Sequence, residues 1–531
     1  MKIGVILDGT RLARWQADAL AMLADEAEFI IYSCETRAPA RRELRHGLYY
    51  LLNLLTIRNS QTRGVELPNS LRVAARRSFR AERDGAWHRL GDEFLELVDE
   101  DRPAVLIKFG MGLLRIPSPD RLNVPILSYH HGDPARFRGR PAGFYELLDG
   151  ETTVGQIVQR LSNQLDAGKI VAAAETRAVA RSYRATLVEA YRHSPLLLPI
   201  AVRNAVEGIA WEPPEWGQAY RLPGNATVLR FAFQRVRDSI VHLLYGLVRE
   251  KRWKVATVAM PSPLTVEQLL ERLAESDQWR PLATPAGYRF LADPFPHPDG
   301  GWLVEAMNSA SGRGEIFHAT EDGQRRISGR AGHFSYPAPI ASDRGWHVVP
   351  EMSDWSAASA YPLSDNGMSE PLELRIPGRP RLLDPTPFRH GDAVFLFGNV
   401  TSEGASVLRL WVADDIDGAF VEHPASPIRI SPNGARMGGT PAMIDGRLIR
   451  VGQDLRGGYG DGIALFEVTR IDRTHYAERR LGEFKFAKVR GPHTLNLARG
   501  EMAFDYYDDA FSPLAGIRRI KERRAARRIG D

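Results

Sequence analysis

Two histidines, His130 and His131, follow an apolar run from Val124 to Tyr129, and Asp133, Arg138 and Asp166 come after them. A histidine at a strand end can move a proton near neutral pH, and a nearby carboxylate can orient or charge it. Ser128, two residues before His130, adds a hydroxyl donor. Each group also has a plain structural role. Histidines before a Gly/Pro loop commonly hydrogen-bond that loop, Asp166 suits the cap of the turn before Gly168, and Arg138 suits an ion pair with an acid of a sheet. A second set of acids lies downstream, where Asp293 and Asp384 each precede a proline. Paired carboxylates can work on glycosidic bonds, can accept hydrogen bonds from sugar hydroxyls, or can occupy the turn and strand-entry positions that Asp-Pro favours. Asp454 and His493, with Arg436 and Tyr459, are further candidates to face a ligand there.

The first group needs a scaffold, and the surrounding chain supplies one. Ile3 to Leu7 reads as a buried strand ending at Asp8-Gly9, and Trp15, Ala19, Met22 and Leu23 recur at helical spacing. Strands at Glu28 to Ser33, Ala104 to Phe109 and Val124 to Tyr129, with a helix around Ala86 to Val98, continue the alternation. This predicts an open, mostly parallel α/β sheet with its ligand crevice past the strand carboxyl ends. Residues 35 to 84 break the rhythm and read as an insertion or lid. No GxGxxG follows the first strand, which argues against a dinucleotide cofactor.

The stretch HHGDPARFRGRPAGFYELLDGETTVGQIVQRLSNQLDAG, from His130 to Gly168, resembles the signature of the folate-dependent formyltransferases. That family uses an Asn, a His two residues later, and an Asp in a distant Leu-Asp-x-Gly turn. The resemblance places His130 at the His position and Asp166 at the Asp position without a gap, with Arg138-Gly139, Gly150 and Gly155 in register. Ser128 stands where the family has Asn, Pro134 is a shifted proline, and Asp133 is an added carboxylate. Phe109-Gly110-Met111-Gly112-Leu113-Leu114-Arg115-Ile116-Pro117 is similar to the family segment that lines the folate pocket. The resemblance therefore implies catalytic roles for His130, Asp166 and Ser128, and folate contacts from Phe109, Gly110, Gly112, Leu114 and Pro117. It implies acceptor contacts from His131, Asp133 and Arg138, with N10-formyltetrahydrofolate as cosubstrate.

Residues 186 to 250 read as a helical linker. Its second helix, Val228 to Arg249, carries Leu229, Phe233, Val236, Ile240, Leu243 and Leu247 on one face with arginines off it. That stripe is expected to pack against a neighbouring domain, with a membrane surface as the alternative.

From residue 251 strand patterns take over and a unit repeats. Asp293-Pro294, Tyr336-Pro337, Asp384-Pro385, Thr440-Pro441 and Pro492-His493 each precede a turn and a second apolar strand ending in a polar residue. Five such units predict a five-bladed β-propeller over 251–515. Leu-Ala-Asp-Pro-Phe and Gly-Gly-Tyr-Gly-Asp-Gly-Ile-Ala-Leu resemble the glycosidase-like domain attached to glucosamine inositolphosphorylceramide transferases. The resemblance puts Asp293 at the place of a catalytic carboxylate on the first blade, with Asp384 two repeats on.

Composition narrows the rest. The 531 residues, 44% hydrophobic and 25% charged, fit ordinary multidomain globular protein. The net charge of +5 is accounted for by the stretch from Ile517 to the end, where seven Arg/Lys face two acids. Such a tail is expected to be a solvated, partly helical terminus; it can also contact nucleic acid, an anionic membrane or an acidic partner, and nothing else suggests specific nucleic-acid binding. A single cysteine, Cys34, excludes an internal disulfide and Cys-based metal sites, and a cytoplasmic setting is expected. No metal is expected. The combined reading is an N-formyltransferase (1–185) acting on an amino-sugar-like acceptor, followed by the linker, a glycan-binding or glycan-processing propeller and the basic tail (516–531). The alternatives are glycosyl transfer or hydrolysis through the propeller, and glycan binding without turnover.

Overall fold

The computed structural model describes residues 1–9, 11–36, 43–84, 87–116, 122–163, 168–262, 264–329, 332–352 and 357–520. They form two units, Met1–Ile240 and Val241–Asp531.

The first unit is built on one seven-stranded sheet. In chain order its strands are β1 (Lys2–Leu7), β2 (Glu28–Cys34), β3 (Arg72–Phe79), β4 (Val105–Phe109), β5 (Ile126–His130), β6 (Thr153–Arg160) and β7 (Lys169–Arg177). Their spatial order is β7-β6-β5-β4-β1-β2-β3. The five strands from β3 to β5 are mutually parallel; β6 pairs antiparallel with β5 and β7 antiparallel with β6, so β6 runs against the other six. The order reverses between β1 and β4, the position at which open α/β sheets leave a crevice.

The alternation of apolar runs and helices thus yields the expected sheet, with two local differences. The helix foreseen around Ala86 to Val98 begins later, as α3 (Asp92–Asp101), and Trp87–Leu90 before it is a strand. Part of the segment read as a lid is instead β3, the sheet's edge. Its residues RVAARRSF alternate exposed and half-buried, so an edge strand covered on one face hides under its arginines. The remaining helices of this unit are α1 (Arg14–Ala21), α2 (Gly47–Thr56), α4 (Phe144–Leu148) and α5 (Tyr183–Val206); α6 (Asn225–Val248) follows.

The second unit holds five antiparallel sheets of four or five strands. Their first strands are Tyr288–Pro296, Ser335–Ser342, Leu382–His390, Asn433–Met437 and Leu495–Ala498. The fifth sheet joins the two ends of the unit, since Arg249–Ala259 pairs along its whole length with Glu501–Phe511.

One irregularity recurs. In each of the first four sheets the pairing of first and second strands slips, at Ala292/Phe295, Ser335/Ala338, Leu383/Thr386 and Asn433/Arg436. Asp293 (φ 49°), Tyr336 (φ 49°), Asp384 (φ 44°) and Gly434 (φ 84°) take up left-handed backbone at these bulges. Aspartate visits this region with modest strain, whereas for tyrosine it is an outlier that its surroundings must enforce. The Tyr336 hydroxyl lies 3.0 Å from Thr386 Oγ1 and accepts from Gly439 N–H at 2.9 Å.

At Gly434 a β-carbon would stand 2.3 Å from the Phe466 ring. Beneath it Arg450, fully buried, donates to Gly434 O at 2.8 Å and to both oxygens of Glu478 at 2.8 and 2.9 Å. Removing one partner of such a buried pair strands the other charge. Glu478→Ala should therefore destabilise the second unit by roughly 3–5 kcal/mol, read as a lower midpoint in chemical denaturation. Loss well under 1 kcal/mol would show that solvent reaches Arg450.

Candidate functional site

In the first unit Ser128 and His130 share one face of β5, because alternate residues of a strand point the same way. Both are buried. His130 Nε2 lies 3.0 Å from Phe137 O, so the ring is oriented by the loop that follows it. Tyr129 and His131 point to the opposite face. There His131 Nε2 meets Ser194 Oγ at 2.8 Å, among the rings of Trp15, Tyr129 and Tyr191. Burial, helped by His130, drives the His131 pKa down to about 3, so His131 stays neutral and does not join His130.

Past the carboxyl ends of β1 and β4, where the strand order reverses, lie Asp8 and Gly110, Met111 and Gly112, the last three with positive φ. Met111 N–H donates to Asp8 Oδ2 at 2.9 Å. A β-carbon at Gly110 would fall 2.3 Å from Asp8 Oδ1, which explains glycine there. Phe109 packs against Trp15 and Tyr129, and Leu114 is buried in the core. Asp133 Oδ1 accepts from Ala135 N–H at 2.9 Å and so braces its own turn. Arg138 Nε donates to Gly217 O at 2.8 Å, and its guanidinium lies 5.9 Å from the Trp216 ring centre. Asp166 and Pro117 lie outside the described residues.

The second unit gathers a denser constellation around the bulges. Asp293 Oδ1 accepts from the Thr494 hydroxyl at 2.6 Å, and Oδ2 accepts from Tyr336 N–H at 3.2 Å. His493 stands with Nε2 3.4 Å from Asp293 Oδ1 and Nδ1 2.6 Å from Asp505 Oδ2. Asp505 in turn accepts from the backbone N–H groups of Asp293, His493 and Thr494. Donor atoms of Asp293, His493 and Asp505 fall within 4.8 Å of one another, a spacing a cation could use. Each of the four carboxylate oxygens already accepts a hydrogen bond from the chain, whereas His493 Nδ1, though close to Asp505 Oδ2, is aligned for no hydrogen bond.

Beside this triad sits a second network. Arg436 donates to both oxygens of Asp384 at 2.6 and 3.0 Å and to Glu351 Oε2 at 3.2 Å. Gln453 Nε2 adds a bond to Asp384 at 2.6 Å, and Asp384 N–H donates to Glu351 at 3.0 Å. Tyr459 joins the two networks. Its hydroxyl is 2.9 Å from His493 Nε2, and Arg436 lies 5.1 Å from its ring centre. Tyr459 is 42% exposed as a residue, while its hydroxyl is buried against His493 and its ring meets Trp253 edge-on.

The carboxyl groups are not equivalent. Burial pushes Asp293 up to about 6 against the pull of His493, with Asp505 and Asp384 adding to the rise. Burial likewise carries Glu351 up to about 8, opposed by Arg436, and holds Glu305, next to Asp293, well above the carboxylate range. Asp384 is equally buried, yet the charge and hydrogen bonds of Arg436 keep it below its ordinary value. For His493 the Asp505 and Asp293 carboxylates outweigh burial and raise its pKa. Carboxyls held apart in this way are what acid–base chemistry requires.

Asp293, Asp384, Arg436, Tyr459 and His493, all singled out from sequence, therefore come together. Asp454 is engaged elsewhere: it is paired with Arg456 at 2.9 Å and Lys485 at 3.0 Å. Glu305, Glu351, Gln453 and Asp505 were missed. Their signal was present in part: each lies on the second strand of its repeat, and Glu305, Glu351 and Asp505 close the apolar run there.

A family model described as "Glucosamine inositolphosphorylceramide transferase 1, N-terminal" matches residues 286–501. Two relatives named glucosamine inositolphosphorylceramide transferase 1 are each 26% identical. The Arabidopsis thaliana protein aligns over 286 residues, 47% of this chain and 36% of its own length. The Oryza sativa subsp. japonica protein aligns over 259 residues, 43% and 34%. The chain thus spans about a third of the curated relatives it matches. Among solved structures, an N-formyltransferase from Helicobacter canadensis in complex with folinic acid and dTDP-3-aminofucose is 10% identical, covering 44% of this chain and 80% of that one, with a TM-score of 0.27. Glycinamide ribonucleotide transformylase 1 from Symbiobacterium toebii is 18% identical, covering 39% and 88%, with a TM-score of 0.25.

The raised carboxyls make the stability of the second unit depend on pH. A carboxyl whose folded pKa exceeds its unfolded value contributes stability that is complete below the unfolded pKa and is lost as pH rises through the folded one. Between about pH 4 and 6 for Asp293, and up to about 8 for Glu351, the melting temperature should fall from this cause. Asp293→Asn and Glu351→Gln should flatten their respective parts of the pH profile, as measured by calorimetry. A profile identical to wild type in both variants would place these carboxyls in contact with solvent.

Proposed function

We propose that the second unit is a five-bladed propeller that binds a saccharide and performs acid–base chemistry on it at the Asp293–Asp384–Tyr459 cluster. One observation carries this reading: the buried carboxyl groups Asp293 and Asp384 stand in one cluster with different cationic partners, His493 beside the first and Arg436 on the second. Near neutral pH Glu351 keeps a proton, Asp384 is ionised against Arg436, and Asp293 titrates close by. A protonated carboxyl can donate to a leaving oxygen while an ionised one accepts a proton or stabilises developing positive charge. Arg436 and Asp384 offer donors and acceptors to hydroxyl groups, and the exposed Tyr459 ring offers a flat apolar face to a sugar. The family match over 286–501 spans this cluster and supports the reading. The relatives' name makes a glucosamine- or inositol-bearing saccharide the first ligand class to test. Glycosyl transfer as performed by the whole relatives is a further step of the proposal.

A second reading, N-formyl transfer in the first unit, is favoured by one placement: Ser128 and His130 share a face at the carboxyl end of β5. There an acceptor amine would attack the formyl carbon of N10-formyltetrahydrofolate, the Ser128 hydroxyl would bond the oxyanion, and His130 would take the amine proton. The C–N10 bond would then break, and the proton would pass to N10. An amino sugar suits both readings, as formyl acceptor in one unit and as ligand in the other.

Titration calorimetry with glucosaminyl-inositol should show binding that weakens about tenfold in Tyr459→Ala and more in Asp384→Asn, with melting behaviour retained by the exposed-residue variant. Absence of binding to any amino-sugar or inositol saccharide would sink the first reading. For the second, 5-formyltetrahydrofolate should raise the melting temperature of wild type but not of His130→Ala. No shift at millimolar ligand would remove folate chemistry from the first unit.

A further inference from the structure

The acid cluster of the second unit is shut. Asp293, Asp384 and His493 are 4%, 3% and 1% exposed, so a ligand that is to touch them needs part of the protein to withdraw. Tyr459 is placed to be that part. Its hydroxyl lies 2.9 Å from His493 Nε2, which stands 3.4 Å from Asp293 Oδ1, while the residue as a whole reaches the surface. The hydroxyl thus fills the place a ligand hydroxyl needs in order to bond the imidazole beside Asp293. Burial holds the phenol well above its ordinary pKa, so it stays a neutral O–H group, able to donate and accept as a saccharide hydroxyl does.

The segment that carries Tyr459 is built to move between fixed ends. It joins the strands Arg447–Asp454 and Ile463–Ile471 and reads LRGGYGDG from Leu455 to Gly462. At one end Arg456 pairs with Asp454 at 2.9 Å and with Glu483. At the other Asp461 pairs with Lys485 at 3.1 Å and Arg490 at 3.4 Å. Between these anchors Gly457, Gly458 and Gly460 leave Tyr459 as the one residue with a side chain. Gly458 (φ 141°) and Gly460 (φ 75°) occupy backbone open to glycine, and glycine moves between such conformations at little steric cost. The segment lies flat on Trp253: a β-carbon at Gly460 would fall 2.3 Å from that ring. Lys251 latches it from the strand Arg249–Ala259, its Nζ donating to Tyr459 O.

We propose that residues 457–460 are a strap that shuts the candidate site, with Tyr459 as its plug, and that a saccharide enters by displacing the phenol from His493. The identity of the ligand rests on the saccharide reading above; the strap rests on contacts within the second unit alone. A ligand hydroxyl takes over the bond to His493 Nε2, and the displaced ring is then free to lie against the sugar. Closure over the ligand keeps water from the buried carboxyls, as catalytic lids do.

The test labels the full chain with diethyl pyrocarbonate, which acylates accessible imidazole nitrogens, and maps the adducts by mass spectrometry. His475, with a side chain 55% exposed, is the internal reference. In wild type His493 should label roughly tenfold or more slowly than His475, because it reacts only when the strap opens. Tyr459→Phe keeps the ring and loses the bond to His493; Lys251→Met loses the bond to the strap backbone. Each should raise His493 labelling roughly fivefold, with His475 labelling and the melting temperature unchanged. Lys251→Met is the sharper variant, because it frees the strap while leaving the phenol–imidazole bond available. Glucosaminyl-inositol should slow His493 labelling in wild type and in both variants. His493 labelling that neither variant changes would overturn the strap, as would wild-type labelling at the rate of His475 or a rise seen only where the melting temperature has fallen. Faster labelling in both variants without protection by any amino-sugar or inositol saccharide would uphold the strap and remove the saccharide reading.

Discussion

The second unit depends on how it satisfies the backbone at its bulges. A bulge leaves a residue out of the strand ladder, and its amide must find a partner when no water is near. Asp505, on the second strand of the last sheet, accepts the N–H of Asp293 in the first; Glu351, on the second strand of the second sheet, accepts the N–H of Asp384 in the third. Asn399 uses an amide for the reciprocal task, donating to Ala435 O at 3.2 Å. Side chains from one sheet thus fasten the first strand of the next.

This constraint also produces the chemistry. A neutral donor or acceptor would satisfy a bulge, yet several of these positions are acids buried away from water, where the ionised form is disfavoured. Which acids keep their protons then depends on where the cations stand. Arg436 grips Asp384 with two bonds and reaches Glu351 with one; His493 is shared between Asp505 and Asp293. The result is a graded set, from ionised Asp384 through Asp293 near 6 to Glu351 near 8. Structural fastening and acid–base readiness therefore reside in the same side chains, and Tyr459 is held by both networks.

What could be read from sequence follows from how strongly each residue type marks its position. Asp-Pro and Tyr-Pro punctuate the repeats, so the bulges at 293, 336 and 384 were legible as anchors. The alternating apolar runs likewise announced the sheet of the first unit. Faces were harder, because one residue along a strand reverses the direction of a side chain. Asp454 reads from sequence as a candidate to face a ligand, but Gln453 is the residue that reaches Asp384, while Asp454 pairs with Arg456 and Lys485. The same alternation separates His130 from His131. Edge strand β3, covered in arginine, has no apolar run to betray it.

Helix α6 shows a different limit. Its periodicity displays an aliphatic stripe, and the natural inference is that the stripe is the buried face. The helix instead buries Phe231, stacked on Phe144 at 4.3 Å and set edge-on to Tyr183 at 5.5 Å. Aromatic side chains bury much area each and prefer specific ring geometries, so one phenylalanine with ring partners can decide the orientation of a helix. Once Phe231 is committed, residues on the far side follow, and the aliphatic row is turned outward with its arginines. Within the first unit the row therefore lies opposite the ring contacts of Phe231.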